Sequence, residues 1–80
     1  MQHLASDNRA VGVDGGTVGE CLDALVSRYP DLNGMVFEKK GKLLRHVEIF
    51  INKKSAYPHE LSSRVADGDK INIVNIIAGG

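Results

Sequence analysis

Residues 71–80 read INIVNIIAGG, from Ile71 to Gly80. Ile71 to Ile77 has the composition of a β-strand, and its apolar residues fall on both faces: Ile71 and Ile73 on one, Val74 and Ile76 on the other, with Ile77 near the exit. A strand that is apolar on both sides is a central strand, covered at least in part on each face. Asp67-Gly68-Asp69 places a tight turn ahead of it. After it come only Ala78, Gly79 and Gly80, so a central strand is followed by a tail almost bare of side chains.

Upstream, AYPHELSSRVADGD reads as irregular surface chain carrying a short strand or a helical turn. In LLRHVEIFINKK, Val47, Ile49 and Ile51 alternate with His46, Glu48, Phe50 and Asn52, which predicts a half-buried strand with a turn at Asn52 to Ser55. DLNGMVFEKKGK is a polar connection in which Met35, Val36 and Phe37 are expected to lie as a lid over a helix. That helix is TVGECLDALVSRYP. Thr17 and Glu20 have capping-box spacing, with Thr17 accepting from a backbone amide and Glu20 reaching back to the cap. Val18, Cys21, Leu22, Leu25, Val26 and Tyr29 form one helical stripe, and Pro30 ends it. Arg9 to Val13 is a short alternating strand stopped by Asp14-Gly15-Gly16. The order predicts a small α+β domain with one helix packed across a mixed sheet.

The 80 residues amount to one domain, near the size where a single core only just outweighs chain entropy. The 42% hydrophobic and 25% charged fractions are ordinary for a folded soluble protein. Ten basic residues balance ten acidic ones and form no stripe with interleaved aromatics, which argues against nucleic acid. No apolar run is long enough for a membrane span, and no secretory leader is legible, so a reducing cytoplasm is the expected compartment.

Cys21 is the sole cysteine and lies on the apolar stripe, where a packing role is expected in place of a nucleophilic one. His3, His46 and His59 have no metal-ligand spacing, and no metal site is expected. GVDGGTVG lacks the Lys-Ser/Thr of a phosphate-cradling loop and reads as a turn before the helix, while Asp67 and Asp69 shape a turn.

The element order, together with TVGECLDAL, HVEIFIN, DGDKINIV and the terminal AGG, resembles the ubiquitin-like sulfur-carrier proteins. This family includes the small subunit of molybdopterin synthase and the thiamine and cysteine-route sulfur carriers. The resemblance spans Leu4 to Gly80. It implies a β-grasp domain over residues 1–77 and a flexible Ala78-Gly79-Gly80 tail over 78–80. It also implies the chemistry. A ubiquitin-activating-like enzyme, using ATP and Mg, adenylates the carboxylate of Gly80, and a sulfur source converts it to a thiocarboxylate. No cofactor is bound by the carrier itself. The implied acceptor is a sulfur-accepting synthase, either a molybdopterin synthase large subunit or a cysteine synthase-like enzyme. The carrier is then a co-substrate and not an enzyme. Glycine has no Cβ, so Gly79 and Gly80 allow the thread to enter a narrow active site. The alternative reading is a ubiquitin-like modifier joined to lysines through Gly80.

Two departures from the family pattern stand out. Family members begin with a strand of six or so residues beside the last one, whereas MQHLASDNRA corresponds mostly to the loop after it. The first strand is therefore expected to be short or missing: the chain starts late, or Gln2 to Ala5 serve as a shortened strand, or another chain fills the gap, while an unfilled gap would expose strand edges that invite partial dimerisation. Asn75 stands where the molybdopterin and cysteine branches commonly carry proline. The resemblance also implies an apolar partner-binding surface near the tail, with Phe50, Ile76 and Ile77 as its residues. Phe50 lies on the otherwise polar face of its strand, so it either belongs to that surface or packs against Tyr57 or Met35 within the chain.

Overall fold

The computed structural model describes residues 1–6, 9–39 and 41–75. The elements in order are β1 (Gln2–Ser6), β2 (Arg9–Val13), α1 (Val18–Arg28), a 3-10 turn (Pro30–Leu32), α2 (Asn33–Val36), β3 (Phe37–Lys39), β4 (Lys42–Leu43), β5 (Val47–Ile51), β6 (Lys54–Ser55) and β7 (Lys70–Asn75). Five strands form one sheet in the order β2-β1-β7-β5-β6, and β3 and β4 form a separate two-stranded ribbon. β7 is the middle strand, as its composition predicts. It runs parallel to β1, with Leu4 beside Ile71, and antiparallel to β5, with Ile49 beside Ile73. One helix over one face of this mixed sheet, with the first and last strands adjacent, is the β-grasp arrangement.

The core lies between that face and α1. Leu4, Val13, Val47, Ile49, Ile71 and Ile73 come from the sheet, and Val18, Cys21, Leu22 and Leu25 from the helix. The spacing of the helical set puts all four on one stripe, and the sheet set alternates with outward residues at period two.

α1 begins where its sequence predicts, with one difference. Thr17 Oγ1 accepts from the Glu20 amide at 3.2 Å, but Glu20 Oε1 accepts from the Gly16 amide at 2.7 Å and not from that of Thr17. The remaining free amides of the first turn are met by a distant segment: Val18 N–H donates to Ser63 O and Gly19 N–H to Leu61 O, both at 2.9 Å. The 61–65 stretch is therefore held against the start of the helix, and Val65 N–H donates to Gly16 O at 3.1 Å. At the other end Tyr29 N–H closes on Leu25 O and Pro30 begins the 3-10 turn.

Several expectations change. Of the three alternatives for the start of the chain, the structure has the second: the first strand is short, five residues, but present and one residue longer than expected, and it fills the position between β2 and β7. The strand is hard to see because the residue that turns inward beside Leu4 is polar. Gln2 is 4% exposed, and its Oε1 accepts from the Gly15 amide at 3.1 Å and from Cys21 Sγ at 3.5 Å. The 31–42 connection is more ordered than a polar loop, since it holds α2, β3 and the start of β4. Val36 and Phe37 are buried there, but Met35 stays 59% exposed, because adjacent positions on a helical turn point about 100° apart. The face of β7 opposite the helix is not covered at Val74, which is 38% exposed.

The β5–β6 hairpin turns through Asn52 (φ 50) and Lys53 (φ 74), two left-handed residues whose twist matches that of the flanking strands. Asn tolerates this region better than most side chains. Among the described residues, no helix is long and apolar enough to cross a membrane.

Candidate functional site

The sheet face turned away from α1 is organised by register. Ala10, Ala5, Asn72, Phe50 and Ser55 occupy one row that crosses all five strands. Four of these residues are small or polar, so Phe50 is the only bulky apolar group in the row. It is half-buried and stands outside the core. Val74 lies on the same face, opposite Glu48 and diagonal to Phe50, a separation within reach of an aromatic side chain. The two residues make an apolar spot at the end of the central strand, immediately before the chain leaves β7 at Asn75.

Of the site residues expected from the sequence, Phe50 is thus placed on the outer face beside β7. Met35 and Tyr57, its proposed packing partners within the chain, remain exposed at 59% and 75%. Ile76, Ile77, Ala78, Gly79 and Gly80 lie outside the described residues. The sequence places Val74 on a face expected to be covered at least in part, and does not single it out as a site residue. The signal available was that Asn72, two residues earlier on that face, is polar.

The anchorage of β7 is electrostatic as well as apolar. Asp69, the residue before the strand, accepts from the Ala66 amide at 2.8 Å and from Asn52 Nδ2 at 3.0 Å. These bonds, the backbone one first, hold its carboxyl below the usual carboxylate range. Lys70 N–H donates in turn to Asn52 Oδ1 at 3.0 Å, and Asn52 N–H to Lys70 O at 2.8 Å.

Burial pushes the Cys21 thiol up, with the charges of Glu20 and Asp14 adding to the effect, so the thiol stays protonated and a poor nucleophile. Among the described residues, no three His, Cys, Asp or Glu side chains gather as metal ligands. What the described residues offer is the apolar spot of Phe50 and Val74 on the outer face of the sheet and the hydrogen-bonded turn that holds the start of β7.

Against known families, residues 3–80 match the model of the ThiS family. The chain belongs to the ThiS family. Its relatives within this ubiquitin-like group divide by name into carriers and modifiers. Small archaeal modifier protein 1 of Haloferax volcanii is 38% identical over 71 residues, covering 88% of this chain and 78% of its own. Sulfur carrier protein CysO of Mycobacterium tuberculosis is 29% identical over 75 residues, covering 90% and 81%. A chain in the crystal structure of the Amycolatopsis orientalis BexX/CysO complex superposes over 100% of both chains with a TM-score of 0.87, at 24% identity, a likeness that speaks to the β-grasp fold. The ThiS-family assignment therefore agrees with the resemblance read from the motifs.

Proposed function

We propose that this protein is a sulfur carrier whose reactive group is the α-carboxylate of Gly80. The observation that supports this most is that the family match extends through residue 80, so Gly79 and Gly80 fall inside the matched region. A carboxylate is a poor electrophile because its leaving group would be oxide. An activating enzyme that binds ATP and Mg overcomes this: a carboxylate oxygen attacks the α-phosphorus, pyrophosphate leaves, and an acyl adenylate results. The terminal sulfur of a persulfide then attacks the acyl carbon and AMP departs. A second thiolate cleaves the S–S bond of the acyl disulfide, releasing the thiocarboxylate and an ordinary disulfide. The thiocarboxylate is a soft nucleophile at neutral pH and passes its sulfur to an acceptor bound by a synthase of the molybdopterin or cysteine type. In this scheme the chain is consumed and regenerated, and catalysis belongs to its partners. Its own contribution is to dock through Phe50, Val74, Ile76 and Ile77 and to present the tail of Ala78, Gly79 and Gly80.

The experiment is intact mass spectrometry of the chain incubated with an activating enzyme of the ubiquitin-activating class, ATP, Mg and a persulfide donor. A gain of about 16 Da, one oxygen exchanged for sulfur, is expected. A chain that forms the adenylate yet never gains this mass overturns the reading.

The 38% identity to a protein named as a modifier favours a second reading, an isopeptide bond from Gly80 to lysines of other proteins. It predicts higher-mass adducts in cell extracts that disappear when Gly80 is deleted.

A further inference from the structure

We propose that the groove between β6 and the 57–64 segment is a docking site for an extended acidic segment of a partner protein, distinct in character from the apolar spot of Phe50 and Val74 and independent of the chemistry at Gly80. This groove, about 610 Å³, is lined by Lys54, Ser55, Tyr57, His59, Ser63 and Arg64 among others, and no carboxylate lines it. That is unusual in a chain whose ten basic residues are matched by ten acidic ones. The neighbouring groove shows the ordinary situation, with Lys42 and Arg45 mixed with Glu48 and Glu60. Lys42 also pairs with Glu38 at 3.7 Å. Lys54 and Arg64 are exposed, and among the described residues neither side chain has an ion pair or hydrogen bond.

The cations are mounted on a fixed wall. Ala56 N–H donates to Ile49 O at 2.8 Å, His59 N–H to Ala56 O at 3.0 Å, and Ser63 Oγ to His59 O at 2.8 Å, while Val18 and Gly19 clamp the far end of the segment to α1. Little backbone ordering then remains to be lost on binding. Ser55 Oγ accepts from the Tyr57 amide at 3.2 Å, which leaves its hydrogen free to donate to an anion. Tyr57, 75% exposed, forms a lip on which an apolar part of a partner can rest, the kind of aromatic anchor that dominates protein interfaces.

Charge complementarity fixes the sign of the occupant, and the open shape fixes its size. A small anion in an unenclosed groove would keep most of its water and meet two screened cations. A carboxylate-rich strand gains several such contacts together with the Tyr57 lip. The groove borders the apolar spot at Ser55, which pairs with Phe50, while its cation Lys54 is opposite Ile51, which packs on the core from the other face of the hairpin.

The test is a titration of the ¹⁵N-labelled full chain with a hexaglutamate peptide, followed by amide shifts, with hexalysine and inorganic phosphate as controls. Shifts confined to residues 54–64 are expected. The Lys54→Gln/Arg64→Gln variant should weaken binding about tenfold while Lys39→Gln/Lys42→Gln leaves it unchanged. The proposal is overturned by any of four results: shifts spread equally over Lys39, Lys42 and Arg45; affinity indifferent to Lys54→Gln/Arg64→Gln; phosphate producing the same shifts at equal concentration; or the same residues shifting with protein concentration alone, which would assign the groove to a second copy of this chain.

Discussion

Asn52 and Asp69 tie the β5–β6 turn to the turn before the central strand, Asn52 Nδ2 donating to Asp69 Oδ1 at 3.0 Å. The same Asn52 side chain accepts from the first amide of β7, at Lys70. Asn52→Ala removes both bonds and places alanine at φ 50, so a loss of about 1–2 kcal/mol is expected in denaturant melts, with Lys53→Ala as the comparison. An unchanged midpoint would mean that the two turns hold themselves.

Asp69 gives stability a pH dependence of known sign. Its folded pKa is lowered, so the fold favours the ionised form; that contribution is complete above the unfolded carboxylate range and is lost as pH falls through the lowered folded value. Urea midpoints for the wild type and Asp69→Asn should differ at neutral pH and converge at the acid end. A gap that stays constant with pH would remove the carboxylate from the account.

Cys21 should resist iodoacetamide in the native protein. Its thiol is buried and its pKa raised, so alkylation needs an opening of the α1–β1 contact and should speed up with denaturant in parallel with unfolding. Rapid alkylation without denaturant would contradict the placement of this helix.

Gly15→Ala should destabilise the domain by roughly 1–3 kcal/mol in thermal melts, through overpacking. A Cβ there would stand 2.9 Å from both the backbone nitrogen of Cys21 and Cβ of Glu20, so the first turn of α1 would have to move. Gly34→Ala, where a Cβ meets nothing within 4 Å, is the control and should be tolerated.

Phe50→Ala and Val74→Ala should weaken binding to the activating enzyme by about 1–3 kcal/mol each. The melting temperature should change little, because both side chains face away from the core. Leu22→Ala, in the core, should instead cost about 2–5 kcal/mol of stability. A large stability loss on Phe50→Ala would assign that ring to structure alone.

The elements with a clean period were readable from the residues alone. α1 shows its stripe and cap, β5 alternates, and the β-branched run of β7 announces a central strand, which together with the terminal glycines pointed to the family. The hidden parts depended on partners far away in the chain. β1 looks like loop because a buried Gln2 occupies an inward position, where its Oε1 accepts from the Gly15 amide and the Cys21 thiol. The 61–65 segment has no period at all; its shape comes from serving the free amides of α1. Val74 falls on the face its alternation predicts, but its exposure was not legible, because hydrophobicity marks a residue as able to be covered without saying whether anything lies above it.

The pairing of β1 with β7 in parallel has a mechanical side. The chain enters this pair at Gln2 and leaves it at Asn75, at opposite ends of neighbouring strands that run in the same direction. Tension drawn between those points loads the rungs from His3 to Ser6 in shear, all together, instead of peeling them one by one. A pull applied between the start of β1 and the end of β7 would therefore have to break these rungs together.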